Sequence, residues 1–465
     1  MGVCAFCTSG TQVQGHVPAA QLNRQFLQSP LGINALTIPH WLILVLAWIF
    51  AIGASASIVL WAIAWILLEH TMRLVPTLRV GQRLAKTVPP TGSVCIVVPA
   101  HNEARSIAGL IASLRAETYP QMQAVLALDR CTDDTATVAR EAIAGDARFE
   151  IVEIGACPDD WAGKVHAVFQ GMTRSTAAAT AEYLLFVDAD TMLSPQCIAS
   201  ALALMRERKL DMLSLLSTLI YDTWFTRIVQ SAAAFELMRQ YPLLRANGLR
   251  PRRAFANGQF MLFTRHAYRT IGGHTAVKRA LLEDLALARL VARNKLNAGV
   301  FIAAGLFHCR MYPDWPQFRR GWKRIYTEAA HRKPARLKVA AWRMRLLGTI
   351  LPLLTFACGI FGVATMARDA AMGWTMLSLA LAGTLLWLVA QLRFSSVAEA
   401  PAWTTPLHIV GAWLTGGMLS EAASDLRSQK PISWGGREYS LGNEPAAAKR
   451  ENTDAAPTVK SAPGD

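Results

Sequence analysis

The sequence is poor in charge and has no pattern of paired cysteines. Only 17% of its 465 residues are Asp, Glu, Lys or Arg, well below the soluble average, while 52% are hydrophobic. The eight cysteines are scattered, and one Cys-x-x-Cys, at Cys4 and Cys7, has no second pair to complete a zinc site. The ten histidines form no His-Glu-x-x-His. We therefore expect unpaired thiols in a reducing compartment, in a membrane protein with a sizeable water-exposed part.

The N-terminal region lacks the features of a targeting segment. Residues 1–37 form a polar tail that does not resemble a signal peptide, because the long apolar run begins too late. Phe6 stands where myristoylation requires Ser or Thr. The run 38–68 has no charged side chain over thirty-one residues, more than the ~20 that cross a bilayer. Four basic residues follow it, which predicts an anchor whose C-terminal end is cytoplasmic: Arg73, Arg79, Arg83 and Lys86.

Further apolar runs lie near the C-terminus. Segments 346–366 and 372–391 predict a transmembrane hairpin. Segment 402–419 is shorter and is predicted to be transmembrane or re-entrant; we favour a re-entrant or interfacial segment, because crossing would place the basic tail outside. From Arg310 to Arg345, eleven Lys or Arg stand against two acids, so 316–345 is predicted to be a basic amphipathic interfacial region. Residues 420–465 are predicted to be a cytoplasmic tail with a disordered end. No nucleic-acid module is recognisable, and no nucleic-acid partner is expected.

Residues 91–315 alternate short apolar runs with helical stretches, which predicts an α/β domain with a doubly wound, mostly parallel sheet. The predicted strands are Ser93–Pro99, Gln123–Asp129, Phe149–Ile154, Tyr183–Asp188 and Asp211–Leu216. The predicted helices are Ala104–Ala116, Asp133–Ala144, Lys164–Arg174 and Pro195–Arg208. Such sheets bind ligands beyond the carboxyl ends of their strands.

Acidic residues follow three of these strands. The strand ends read Pro-Ala-His-Asn-Glu at 99–103, Asp-Arg-Cys-Thr-Asp-Asp-Thr at 129–135 and Phe-Val-Asp-Ala-Asp at 186–190. The pair Asp188 and Asp190 suits a hard cation that also takes diphosphate oxygens. The alternative is that either acid only caps the next helix or ends a turn. Three acidic strand ends in order favour the metal interpretation.

The series PAHNE, LDRCTDDT, DDWAGK, FVDADT and LLEDLALA, spread over about 94–291, resembles a family 2 glycosyltransferase of the GT-A fold. An N-terminal anchor with several C-terminal spans is similar to the hopene-associated glycosyltransferases, and to the carotenoid and ceramide glycosyltransferases. The tail 434–439, Trp-Gly-Gly-Arg-Glu-Tyr, is similar to the Trp-x-Gly-Arg-x-Tyr closing motif of that group.

The resemblance implies roles for individual residues. Glu103 and Asp129 would bind the uracil and ribose of a nucleotide-sugar donor, with Pro99 and Asn102 in the same motifs. Asp188 would hold the nucleotide. Asp190, together with Asp188, would coordinate the metal, Mn²⁺ or Mg²⁺. Lys164, in a Gly-Lys motif, would lie near the nucleotide; alternatively it is a surface lysine at a helix start, where the dipole disfavours it.

An inverting transferase needs a carboxylate that takes the proton of the acceptor hydroxyl. The resemblance gives this role to Asp284 of the Glu283–Asp284 pair; otherwise the two acids merely favour a helix N-terminus. Gly258 and Gln259 precede an apolar strand, 260–263, and are expected on the acceptor side, the glycine allowing close backbone approach.

One departure from the family pattern concerns the Gln-x-x-Arg-Trp of processive relatives. Here the string is Gln317-Phe-Arg-Arg-Gly-Trp322, in which a glycine breaks the match. Trp322 is placed on the acceptor side, and the arginines of this stretch lie either over the diphosphate or in the interface of an amphipathic helix.

We therefore expect an integral membrane protein of a bacterial inner membrane, with its catalytic domain in the cytoplasm. It would be an inverting, metal-dependent glycosyltransferase of the hexosyltransferase type that acts on a lipid acceptor, with a link to hopanoids resting on the resemblance alone. A processive polysaccharide synthase and a catalytically inactive membrane scaffold are the alternatives.

Overall fold

The computed structural model describes residues 39–247 and 254–430, together with the backbone of 432–434 and 437–439. The Cys4–Cys7 pair, the N-terminal tail and the predicted disordered end lie outside the described residues, as do the two glycines of the closing motif. The chain divides into one unit that ends at Ile49 and another that begins at Phe50. The sheets and the candidate site belong to the second unit.

The strands in chain order are β1 Val94–Ala100, β2 Met122–Asp129, β3 Phe149–Ile154, β4 Tyr183–Val187, β5 Thr191–Leu193, β6 Met212–Leu216, β7 Thr218–Leu219, β8 Phe260–Thr264, β9 Ala298–Ile302, β10 Phe307–Cys309, β11 Ile432–Trp434 and β12 Arg437–Tyr439. The α-helices are α1 His40–Leu74, α2 Leu78–Thr87, α3 Ile107–Arg115, α4 Thr135–Ile143, α5 Gly163–Arg174, α6 Thr176–Thr180, α7 Cys197–Glu207, α8 Ser231–Gln240, α9 Leu243–Ala246, α10 Arg265–Thr270, α11 Glu283–Arg293, α12 Trp315–Ala329, α13 Pro334–Arg345, α14 Leu351–Thr365, α15 Ala370–Ala398 and α16 His408–Arg427.

Seven strands form the main sheet, in the order β3-β2-β1-β4-β8-β6-β9. Neighbours are parallel except at β8, which runs antiparallel to both β4 and β6. A second, three-stranded sheet has the order β5-β10-β7. The predicted α/β class with a mostly parallel sheet is confirmed.

Helices cover both faces of the main sheet, because alternate residues of a strand point to opposite sides. Ile96 and Val98 of β1 belong to one buried cluster, which includes Leu110 of α3 and Leu202 of α7. Cys95 and Val97 belong to a second cluster with α5 and α11. Strand β1 is therefore buried on both sides, which explains why its sequence reads as a continuous apolar run.

The strand register brings the acidic strand ends to one edge. β1 pairs with β2 from Val94↔Met122 to Ala100↔Leu128, and with β4 from Val94↔Tyr183 to Val97↔Phe186. The three carboxyl ends therefore lie side by side, and the residues that follow them share the edge where a parallel sheet binds ligands.

The predicted elements exist, with ends shifted by a few residues. The first helix begins at Ile107 instead of Ala104, because 101–106 form a turn in which Asn102 has φ 58°. The fourth predicted helix likewise begins at Cys197 rather than Pro195. The other predicted strands and helices differ from the observed bounds by no more than two residues.

Three helical segments among the described residues are long and apolar enough to cross a membrane: His40–Leu74, Pro334–Thr365 and Ala370–Ala398. One N-terminal and two C-terminal candidate spans are therefore confirmed. The helix continues past residue 345 through a π-helical turn, Leu346–Ile350. The predicted division between an interfacial region ending at 345 and a span starting at 346 therefore falls inside one continuous helix, and it stays a prediction. Pro352 has no N–H to donate to the carbonyl of Gly348, four residues earlier and inside this turn. An α-helical hydrogen bond is therefore absent here in any case, and the wider π-helical turn can form at this place.

The fourth apolar run folds differently from a span. It forms a short 3₁₀ helix, Ala402–Leu407, and then α16, which is not among the three candidate spans. Helix α16 packs against α12 and α13. Arg319 and Lys323 of α12 form ion pairs with Glu421 and Asp425 of α16, each at 2.5 Å. The placement of α16 at a membrane interface stays a prediction.

Candidate functional site

The turn after β1 and the turn after β2 are tied to each other. Asn102 sits in the left-handed region, which an asparagine tolerates better than most residues, and its side-chain oxygen accepts from the backbone N–H of Thr132 at 2.8 Å. The backbone N–H of Glu103 donates to the Thr135 hydroxyl at 2.8 Å. The Glu103 carboxylate accepts from the Ser106 hydroxyl at 2.6 Å. Burial raises the pKa of Glu103 in spite of this bond.

Asp129, at the end of β2, is held by its chain neighbour. Its carboxylate accepts two hydrogen bonds from the Arg130 guanidinium, at 3.0 and 2.6 Å, and Asp129 is only 2% exposed. His101 bonds to the main-chain oxygen of Asp129 at 2.6 Å. A Cβ placed on Gly163 would lie 3.0 Å from the Arg130 guanidinium, so this pair borders the start of α5. A contact between Asp129 and a nucleotide stays a prediction, and Arg130 is a site residue that the motif analysis missed.

Lys164 connects Asp188, which follows β4, with Glu283 of the Glu283–Asp284 pair. Its ammonium lies 2.7 Å from Asp188 Oδ1 and 2.5 Å from Glu283 Oε1. Burial works to raise the pKa of Glu283, but the charge and the hydrogen bond of Lys164, with smaller contributions from the backbone and His274, together lower it. Burial disfavours the Lys164 charge as well, yet the two carboxylates raise its pKa, so the lysine is ionised. The alternative of a solvated surface lysine is wrong.

Asp190 is the least satisfied acid at this edge. One of its carboxylate oxygens, Oδ1, is buried without a hydrogen-bond partner among the described residues. Burial, together with the neighbouring charges of Asp188 and Glu103, raises the pKa of Asp190 to about 8. Its backbone is fixed, since the carbonyl accepts from the N–H of Arg310 at 3.0 Å.

Asp284 lies on the other side of Lys164, at the start of α11. Its Oδ2 accepts from the backbone N–H of Gly258 at 2.9 Å, and its Oδ1 accepts from Leu285 N–H at 2.7 Å. A Cβ on Gly258 would lie 3.2 Å from both Asp284 Oδ2 and Glu283 Oε1, so glycine allows the close approach. Burial, followed by the charge of Glu283, raises the pKa of Asp284 to about 6.

The remaining predicted residues have different positions. Pro99 lies inside β1, opposite Ala127. Gln259 joins β8 to β4, since its carbonyl accepts from Asp188 N–H at 3.4 Å. Its side-chain oxygen accepts from the Ser217 hydroxyl at 2.6 Å. Trp322 is 2% exposed and packs between Phe318 and Tyr326, so its side chain lies in the protein interior and not in an open cleft.

The donor set at this edge can be tested for a cation. No group of three or more His, Cys, Asp or Glu side chains within the described part of the chain is arranged to hold a metal ion. Two carboxylates, Asp188 and Asp190, are nevertheless adjacent, and the orphaned Asp190 oxygen requires a proton or a cation. Carboxylate oxygens suit Mg²⁺ or Mn²⁺, which fill their other positions with water and phosphate oxygens. The residues present therefore fit a cation that a ligand helps to hold.

Comparison with known proteins finds similarities to one family of enzymes. Residues 95–272 match the model of glycosyl transferase family 2. A 4,4'-diaponeurosporenoate glycosyltransferase of Staphylococcus aureus (strain MRSA252) is 29% identical over 268 residues, which cover 56% of this chain and 68% of that protein. The protein of the same name from strain USA300 is 27% identical over 270 residues, with the same coverage. These findings support a family 2 glycosyltransferase.

Solved structures give weaker similarities. The mannosyltransferase PcManGT from Pyrobaculum calidifontis, in complex with GDP-Man and Mn²⁺, has a TM-score of 0.41 and 16% identity, covering 82% of this chain and 99% of that one. S. aureus TarS 1–349 in complex with UDP-GlcNAc has a TM-score of 0.35 and 12% identity, covering 76% and 97%.

Proposed function

We propose that this protein is a membrane-bound, inverting glycosyltransferase that transfers a sugar from a nucleotide-sugar donor to a lipid-type acceptor. One observation carries the proposal. Lys164 bridges Asp188, which follows β4 beside Asp190, and Glu283, which lies beside Asp284, an acid whose pKa is raised to about 6. The two halves of a sugar-transfer site are thereby joined through a single ammonium group.

The donor half comprises the acids after β1 and β4. Asp190, with Asp188, would hold Mn²⁺ or Mg²⁺, and the bound cation would offset negative charge on a departing diphosphate. Lys164 contributes positive charge at the same place, and it opposes the rise that burial causes in the pKa of Asp188. Asn102, Glu103 and Asp129 border this half, where the nucleoside of the donor would bind.

The acceptor half centres on Asp284. Two backbone N–H groups orient its carboxylate, and a pKa of about 6 leaves it mostly ionised at pH 7 yet basic enough to accept a proton. Asp284 would take the proton of the acceptor hydroxyl as the oxygen attacks the anomeric carbon. The bond from that carbon to the diphosphate oxygen breaks in the same displacement, which inverts the configuration. Gly258 and Gln259 shape this side, and Glu283 stays paired with Lys164 as a positioning residue.

Three apolar helices favour an acceptor that partitions into a membrane. The Staphylococcus relatives are named for a carotenoid-type acid, which supports a lipid-type acceptor here. The link to hopanoids rests on the resemblance of the flanking architecture. The basic residues after the first apolar run favour a catalytic domain on the cytoplasmic face, by the positive-inside rule.

The test is to incubate membranes that contain the protein with a panel of radiolabelled nucleotide sugars and to analyse the lipid extract. The proposal predicts labelled lipid with one donor, dependent on Mn²⁺ or Mg²⁺, with one sugar per acceptor. A ladder of products would instead indicate a processive synthase. No labelled lipid with any donor, although the protein is inserted, would contradict the proposal and favour an inactive scaffold. The D190A variant should insert normally and transfer no sugar.

A further inference from the structure

A short segment after β10 connects Asp190 to helix α12. Cys309 of β10 pairs with Thr191 of β5, directly after Asp190. The next residue, Arg310, donates its N–H to the Asp190 carbonyl at 3.0 Å. The position of Asp190 is therefore fixed to the first residue of segment 310–312, which ends at Tyr312.

Tyr312 fits onto α12 at a place that only glycine leaves open. Its φ of 52° lies in the left-handed region, which is unfavourable for a residue with a Cβ. A Cβ on Gly321 would lie 2.0 Å from both the Cζ and the Oη of Tyr312, so the phenol end of the ring occupies the space of a side chain at position 321. Phe318, one turn earlier in α12, meets the same ring edge to face at 6.0 Å. The glycine that interrupts the Gln-x-x-Arg-Trp pattern is thus the seat of an aromatic ring from another segment.

The charges around Tyr312 are those of the donor half of the site. Burial raises the pKa of Tyr312 to about 12; the Arg324 guanidinium opposes this rise, and Asp190 and Asp188 add to it. Arg324, one turn after Gly321, also favours the ionised form of Asp188. Tyr312 therefore lies where the two acids and an α12 cation act on the same group.

We propose that Tyr312 is a positioning residue of the donor site. Packed against Gly321, Tyr312 holds segment 310–312, and with it Asp190, against α12. Asp188, Asp190 and the Arg324 guanidinium can then act together on a donor diphosphate and its cation. This inference rests on the proposed function. The inference also gives α12 a role at the site. The same helix is joined to α16 by the ion pairs Arg319–Glu421 and Lys323–Asp425.

The test compares full-length Y312A, Y312F, G321A and the double variant Y312A/G321A with the wild-type protein in detergent. UDP and GDP are the probes, and the Mn²⁺ concentration that gives half-maximal nucleotide binding is measured by calorimetry. Loss of a partner behind a metal ligand typically weakens metal binding 10- to 100-fold, so Y312A should raise this concentration about tenfold. Y312F, which keeps the ring, should resemble the wild type.

The seat itself is tested by the glycine variants. G321A should raise the same Mn²⁺ concentration, because its methyl group displaces the ring. The double variant should be no worse than Y312A, since no ring remains to be displaced. In transfer assays the donor KM should rise while the acceptor KM is unchanged, a split that a general loss of packing would not give.

Three results would overturn the inference. Y312A or G321A with the wild-type Mn²⁺ dependence would overturn it alone, and so would losses in the double variant equal to the product of the two single losses. A wild-type protein that binds neither UDP nor GDP with Mn²⁺ would overturn the proposed function, and this inference with it.

Discussion

Replacing Lys164 by methionine should destabilise the protein strongly, and only when the acids around it are ionised. The substitution leaves Asp188 and Glu283 without the ammonium that lies 2.7 and 2.5 Å from them. The Glu283 side chain is 6% exposed, whereas those of Asp188 and Lys164 are 27% exposed. Removing one partner of a buried ion pair costs 3–5 kcal/mol, and partial exposure of Asp188 places K164M near the lower limit, about 3 kcal/mol at pH 8.

The pH dependence follows from the direction of the Glu283 shift. The pKa of Glu283 is lowered in the folded protein, so its pairing with Lys164 stabilises the fold fully above the unfolded pKa of 4.5, and this contribution is lost only below 4.5, as the pH falls through the folded pKa. In K164M the buried carboxylates lack the ammonium that opposes burial, so they should take up protons already between pH 8 and pH 4.5, which relieves the unpaired charge. The difference in unfolding free energy between wild type and K164M should therefore be largest at pH 8 and should shrink towards pH 4.5.

The chain provides a matched control in Lys278, which lies 2.6 Å from Asp160 with both side chains 42% exposed. Exposed pairs contribute roughly 0–1 kcal/mol, so K278M should cost less than 1 kcal/mol. Denaturant unfolding in detergent, followed by tryptophan fluorescence, measures both variants at the two pH values. If K164M cost no more than K278M at pH 8, or lost the same amount at both pH values, the reasoning would be refuted.

Three further predictions concern the acids. The rate of sugar transfer should rise with pH through about 6 as Asp284 ionises, and it should be about a tenth of the plateau rate at pH 5. D284N should abolish transfer at every pH without changing donor binding. A wild-type rate independent of pH between 5 and 7 would contradict the role of Asp284. The raised pKa of Asp190 should cost the metal-free protein stability as the pH rises from about 4 to about 8, and D190N or added Mn²⁺ should flatten that slope in thermal unfolding scans; an unchanged slope in D190N would contradict the unsatisfied carboxylate. G258A should lower transfer by about tenfold, because its methyl group meets the carboxylate that takes the proton, while G155A, with open space around its Cβ, should retain wild-type transfer.

The sheet and its acidic edge could be predicted because apolar strand runs and the residues after them are local in sequence. The partners of those acids could not. Lys164 reaches Glu283 across a large part of the chain, and no pattern in the sequence pairs the two. Arg130 takes a left-handed backbone conformation, φ 48°, that arginine rarely adopts, so its double hydrogen bond to Asp129 had no sequence signal. Gly321 read as an interruption of a motif, and only the three-dimensional packing shows that Tyr312 fills its place.

The membrane segments divide in the same way. The two C-terminal hydrophobic runs were identifiable from length and composition, but the continuity of α13 with α14 was not, because the basic residues before Leu346 suggested a break. Trp322 was assigned to the acceptor side from its place in a motif. The structure buries it instead, because it lies on the face of α12 that packs with Phe318 and Tyr326.

The central claim is that the acids at this sheet edge accept a nucleoside diphosphate together with a cation. Calorimetric titration of the full-length protein with UDP and with GDP, with and without Mn²⁺, tests it most directly, alongside D190N and the control E207Q on the exposed end of α7. We expect binding of one nucleotide that requires Mn²⁺, is retained in E207Q and is weakened at least about tenfold in D190N. Equal affinity without the cation, or equal affinity in D190N, would contradict the account.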